Sequence, residues 1–346
     1  MAMAGQFALS LSRSRRPRSS GLVIGLGVLA LLVVCSLLIG SRGIGLADIA
    51  DAFWRYDPGN DQHLVIRELR IPRTLVAILT GLALGVAGAL MQALTRNPLA
   101  EPGLLGINAG AALAVIIGVT LFKLVSIVEY LGFAFVGAGL AGVAVFMLGQ
   151  ARETGTNPVR LVLAGAGLSV MLGSVTGIIL LNAPLEVFES FRKWSAGSVE
   201  SSGFQTLAVL AIVVSLGVAV AVAIVGNLNA LALGTDLGQA LGVNVRATWL
   251  LACLAIMLLA GAATAAAGPI GFVGLVAPHL ARRLVGADYR WIVPYAGLFA
   301  AILLLGADVI GRVVAAPAEV AAGIIVLLIG GPFFIVIVRR FRVSRS

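Results

Sequence analysis

The 346-residue chain is 60% hydrophobic and only 11% charged, with a mean hydropathy of +1.07. A water-soluble domain of this size cannot enclose that much apolar surface, so a soluble globular protein is excluded and lipid is the main solvent. The net charge of +9 then reads as membrane topology rather than nucleic-acid binding, because Lys and Arg beside apolar spans set orientation.

Apolar runs of about 20 residues suffice to cross the hydrocarbon core. The sequence predicts ten, at 21–40, 73–94, 104–122, 129–149, 160–181, 204–225, 248–267, 270–284, 292–310 and 318–338. The runs are continuous rather than alternating with period two, so they predict helices and not a β-barrel. Glycine reaches 43 residues and aromatics only 6%, and small residues let membrane helices approach closely. The arginines of "RSRRPR" (Arg13 to Arg18) precede a full-length first span with no cleavage site, so that span is expected to stay. An even number of spans puts both termini on one side. Cytoplasmic termini place 15 of the 24 Lys and Arg inside, in the direction that orientation follows. One transmembrane domain, 20–338, is expected between basic tails at 1–19 and 339–346.

Three segments between spans are long. Residues 41–72 are expected outside, with "LADIADAFWRY" as an amphipathic helix near the membrane surface. Residues 182–203 are also expected outside. Residues 226–247, "GNLNALALGTDLGQALGVNVRA", are expected in the cytoplasm as two short helical pieces closed by turns at Gly234 and Gly242. Their apolar residues are too interrupted for a span and too many for a passive linker, which suggests a docking surface.

The connection "TRNPLAEPGLLGINAG" (Thr95 to Gly110) is unusually constrained. Pro98 and Pro102 bar a regular helix, and Asn97 is biased to extended backbone by the proline after it. Irregular backbone near a membrane persists only where protein or a water-filled cavity satisfies it. The stretch is therefore either a rigid turn or the fixed elbow at the mouth of a pathway. Cys35 and Cys253 fall inside apolar runs and read as packing residues. His63 and His279 lie far apart without neighbouring cysteines, so no metal cluster is expected. His279 reads as a structural hydrogen-bonding residue, and Asp308, the carboxylate near membrane depth, as the partner of Arg312 four residues on.

The stretch Arg70 to Gly110, "RIPRTLVAILTGLALGVAGALMQALTRNPLAEPGLLGINAG", resembles the signature of FecCD-type permeases. So do "ALALGTDLGQALGVNV" (Ala230 to Val245), "GPIGFVGLVAPHLARRLVGADYR" (Gly268 to Arg290) and "LLLGADVIGRV" (Leu303 to Val313). These are the membrane subunits of ATP-driven importers for ferric siderophores, haem and cobalamin, and the flavour here is closest to the ferric-catecholate branch. The resemblance implies an all-α polytopic bundle of about ten transmembrane helices with two short cytoplasmic coupling helices, the type II ABC importer permease. It implies a second permease subunit, identical or homologous, with the path between them. Two cytoplasmic ABC ATPase subunits and an extracytoplasmic substrate-binding protein would complete the importer, with membrane lipid around it and no nucleic acid.

Carried over by position, the cytoplasmic gate would be Asn97, Leu99, Pro158 and Val159, the last two standing where some relatives have small hydroxyl residues. ATPase coupling would fall on Leu233, Gly234, Asp236, Gln239, Ala240, Leu241, Gly242 and Val243. Arg70 and Arg312 would accept carboxylates from the binding protein, with Arg67 and Arg73 close enough to share that role; the alternative is interfacial snorkelling. No G-x-x-x-x-G-K-[ST] phosphate loop occurs, so ATP and Mg are expected on the partner ATPase and no cofactor or catalytic residue on this chain. A competing class, the proton-coupled secondary transporter, predicts several buried carboxylates along the spans, and the sequence offers almost none.

Overall fold

The computed structural model describes residues 18–40, 43–124, 127–149, 158–200 and 202–343. The tail arginines Arg13, Arg15, Arg16 and Arg345 lie outside them, as does Arg152. Every regular element among the described residues is helical.

The first helix, α1 (Arg18–Leu38), is followed by a surface helix, α2 (Leu46–Trp54), where the amphipathic stretch was expected. A short α3 (Asp61–Leu64) runs through a π-helical turn (Val65–Arg70) into α4 (Ile71–Thr95). After the elbow come α5 (Ile107–Phe122), α6 (Ile127–Leu148), α7 (Pro158–Leu181) and the shorter α8 (Leu185–Ser195). The second half holds α9 (Phe204–Ala232), a short α10 (Thr235–Ala240), α11 (Val245–Ala267), α12 (Val273–Val285), α13 (Tyr289–Val314) and α14 (Ala322–Val343).

Seven helices among the described residues are long and apolar enough to cross a membrane, and α5 and Ile337-terminated α14 supply two shorter apolar stretches. The run expected at 270–284 is α12, only 13 residues long with Pro278 inside it. At 1.5 Å per residue it reaches about 20 Å, short of the hydrocarbon thickness.

Helix α4 is the axis of the bundle: 78% of its apolar window is buried, against 17% for α1 and for α7. Its glycines explain how it is enclosed. An added Cβ at Gly81 or Gly85 would strike the backbone of Ala300 and Ala296 on α13, and one at Gly88 would strike Gly274 on α12. Gly110 of α5 and Gly137 of α6 abut each other's carbonyls in the same way. Backbones in contact replace the missing hydrophobic incentive with dispersion.

The coupling stretch differs from expectation. Asn227 to Ala232 continue α9, so one short helix, α10, stands where two were expected. The asparagines that looked like loop residues are satisfied inside the helix end. Asn227 donates to Thr248 Oγ1 (3.1 Å), and Asn229 donates to Asp288 Oδ1 (2.7 Å) while accepting from the Tyr289 amide (2.8 Å).

Candidate functional site

Hydrogen bonds define the two ends of the bundle. At one end Ser36 of α1 meets Thr74 of α4 (2.7 Å) and Arg312 of α13 (2.8 Å to its carbonyl). The elbow, α10 and the start of α13 gather at the other.

At the elbow, α4 stops because Arg96 turns into the left-handed region (φ 50°, ψ 29°). Asn97 Oδ1 then accepts from the Leu99 amide (3.0 Å) and its carbonyl from Ala100 (3.1 Å), the local turn that asparagine favours before proline. A 3-10 turn, Pro102–Leu105, ends at Gly106 with φ 72°. The whole connection is clamped. Glu101 Oε1 accepts from the Phe272 amide (2.9 Å), which caps α12 from another element. Burial pushes the Glu101 carboxyl above its ordinary range, and the Phe272 N–H draws it partly back. Phe272 itself sits at φ 66°, a conformation costly for a side chain of that size and held here by its surroundings. The sequence reading missed Glu101, because its partner is 171 residues away.

Asn97 is exposed and Leu99 half-buried. The structure does not place these two against the start of α7 by any hydrogen bond among the described residues. Helix α7 instead meets the connection further along, where Gly165 lets the Leu104 carbonyl approach. Pro158 is the first residue of α7 and Val159 is exposed on it.

Arg96 was not among the predicted site residues, yet it joins the two predicted regions. Its Nη2 donates to the Leu231 carbonyl (3.1 Å) and to Thr235 Oγ1 (3.0 Å), tying the elbow to the base of α10. Beyond that tie, Gly234 (φ 126°) and Gly242 (φ 84°) take conformations that side chains rarely adopt. Leu233, just before Gly234, is 65% exposed, and Leu237 and Leu241, between the two glycines, are 50% and 61% exposed. Leu237 and Leu241 are one helical step apart at the end of α10 and share a face. Gly238 turns inward against Leu231, while Asp236, Gln239 and Ala240 are exposed. Leu237 extends the predicted set. The spacing Leu233, Leu237, Leu241 was the available signal.

At the opposite end lie Arg70 and Arg312, expected to accept carboxylates from a binding protein. Both are buried, 6% and 4% exposed. Arg70 donates to the Leu37 carbonyl, and Arg312 to those of Ser36 (2.8 Å) and Ile39 (3.1 Å). The reason is physical: the last carbonyls of α1 have no intrahelical partners and carry the negative end of its dipole. Asp308 pairs with Arg312, as the i,i+4 spacing suggested, and also with Arg73 (2.7 Å). Arg73 reaches Glu319 as well (2.8 Å). Among the described residues no group of three or more His, Cys, Asp or Glu is placed to hold a metal ion.

The FecCD transport family model matches residues 28–340. The chain belongs to the FecCD transport family. It is 45% identical over 318 residues to the ferric enterobactin transport system permease protein FepD of Escherichia coli, covering 91% of this chain and 94% of that one. It is 37% identical over 326 residues to the hemin transport system permease protein HmuU of Yersinia pestis, covering 93% and 97%. A solved metal-chelate type ABC transporter in an inward-facing conformation superposes with a TM-score of 0.81 at 27% identity, over 93% of this chain and 99% of that one. This FecCD protein is thus a multi-pass inner-membrane permease of an ABC importer, and the phosphate-loop chemistry of ATP hydrolysis is absent from its sequence.

Proposed function

We propose that this FecCD chain forms half of the translocation pathway for an iron–siderophore complex and takes its energy from ABC ATPases docked on the Leu233–Leu241 patch. That patch is the observation that carries the reading. Three exposed leucines around one short helix, beside a tie to the elbow, suit a protein partner whose movement must reach the gate. Asn97, Leu99, Pro158 and Val159 are assigned to the gate, and Leu233 to Val243 to coupling through α10 and the turn after it.

In this reading the chain crosses the membrane ten times, α12 included, with both termini and α10 in the cytoplasm. The elbow end is then the inner face. A second permease covers α7, whose Leu163, Val170, Met171 and Ile178 are exposed, together with α14. The outer end receives the substrate-binding protein. Arg70 and Arg312 contribute there by holding α1 against α4 and α13, and direct contact with a binding protein would require their carbonyl bonds to open. The siderophore cargo rests on the similarity to the ferric enterobactin permease, with haem as the related alternative. Proton coupling is disfavoured because Asp308 is engaged by two arginines and not poised to exchange a proton.

The test is reconstitution of the permease with its ATPase and binding protein in vesicles. ATP-dependent accumulation of a ferric catecholate in preference to hemin supports the proposal. Uptake that follows an imposed proton gradient and ignores ATP refutes it.

A further inference from the structure

We propose that a groove between α1, α4, α9 and α13 is a binding site for one anionic phospholipid, with an acyl chain in the groove and the phosphate on Arg290. The inference rests on the membrane-spanning reading and is independent of the cargo.

The groove encloses about 750 Å³. Leu22 and Leu29 of α1, Leu82 of α4 and Val222 of α9 are among its apolar walls, and Arg290 is the one charged residue among the described residues lining it. Arg290 lies in the first turn of α13, at the elbow end of the bundle. From there the lining runs along α13 to Ala301, about 16 Å at the rise of an α-helix. One leaflet of a bilayer is about 15 Å of hydrocarbon. The cleft is therefore one acyl layer deep, with its cation at the headgroup level.

The charge at the mouth is available. Arg290 is exposed and forms no ion pair among the described residues. Asp288, two residues earlier, accepts through Oδ1 from the Arg290 amide (3.0 Å) and from Asn229 (2.7 Å). The start of α13 adds the positive end of a helix dipole. Basic openings between helices at the cytoplasmic surface favour anionic headgroups. The second permease is assigned to α7 and α14, and neither lines this groove.

Native mass spectrometry of the full-length permease tests the site, with phosphatidylglycerol or phosphatidylcholine of identical chains supplied to the micelles. The wild type should retain phosphatidylglycerol about fivefold better, the increment of one arginine at a membrane surface. Arg290→Gln should erase that preference. Gly226→Leu should lower retention of both lipids, because Gly226 lines the groove and a side chain there enters open space. Inorganic phosphate should not compete. Equal retention of the two lipids by the wild type, or a preference that survives Arg290→Gln, overturns the proposal. So does a Gly226→Leu variant that keeps its lipid but changes subunit number, which would make the groove a protein interface. Displacement of phosphatidylglycerol by phosphate alone would also overturn it.

Discussion

Arg96 should be the mechanical link between ATPase movement and the gate, and replacing it by glycine isolates that role. The substitution removes the bonds to the Leu231 carbonyl and Thr235 Oγ1. Each hydrogen bond from a charged donor contributes about 1.5–3 kcal/mol when shielded, and less when exposed as the Thr235 bond is. A combined loss of about 1.5 kcal/mol is a reasonable figure, equivalent to roughly tenfold in a coupling equilibrium. The backbone moves the other way. Arg96 holds φ 50°, a conformation that costs a non-glycine residue about 1–2 kcal/mol and glycine little. Arg96→Gly should therefore leave the unfolding temperature of the permease unchanged or raised while transport per ATP hydrolysed falls about tenfold. ATPase binding should persist, since the leucine face is untouched. The assay is cargo accumulated against phosphate released in reconstituted vesicles, with thermal unfolding measured in parallel. Wild-type stoichiometry in the glycine variant would refute the argument. A loss of transport that merely tracks a lower unfolding temperature would refute it too.

Leu237→Asp should weaken capture of the ATPase in a pull-down by about tenfold or more, because burying one leucine contributes about 1.5–3 kcal/mol; undiminished capture would move the docking surface elsewhere. Asp308→Asn should leave the buried Arg73 and Arg312 without their carboxylate, at a cost of about 3–5 kcal/mol visible as a lower unfolding temperature. Glu101 supplies a pH dependence. Its carboxyl is raised by burial, so the folded state binds the proton more tightly than the unfolded one, and stability should fall as pH rises above the unfolded value of about 4.3. Glu101→Gln keeps an oxygen for the Phe272 amide and should flatten that part of the stability profile, while parallel profiles for the two proteins would show that Glu101 does not contribute.

Features that depend on near neighbours were legible along the chain. Apolar run length determined the membrane class and most helix positions. Pro98 and Pro102 marked the elbow because proline acts on its own backbone and on the residue before it. Asp308 and Arg312 were legible as a pair because four residues make one helical step. Tertiary structure alone decided the contacts between distant segments. Glu101 finds Phe272, Arg73 finds Asp308 at a separation of 235, and Arg312 finds Ser36 at 276. Nothing local in Arg70 or Arg312 distinguishes an outward fork from one turned onto the end of α1. That choice follows from where the unpaired carbonyls of α1 arrive once the glycine seams of α4 have drawn the helices together. The length of α9 was decided in the same way: Asn227 and Asn229 favour a loop until Thr248, Asp288 and the Tyr289 amide satisfy them inside a helix.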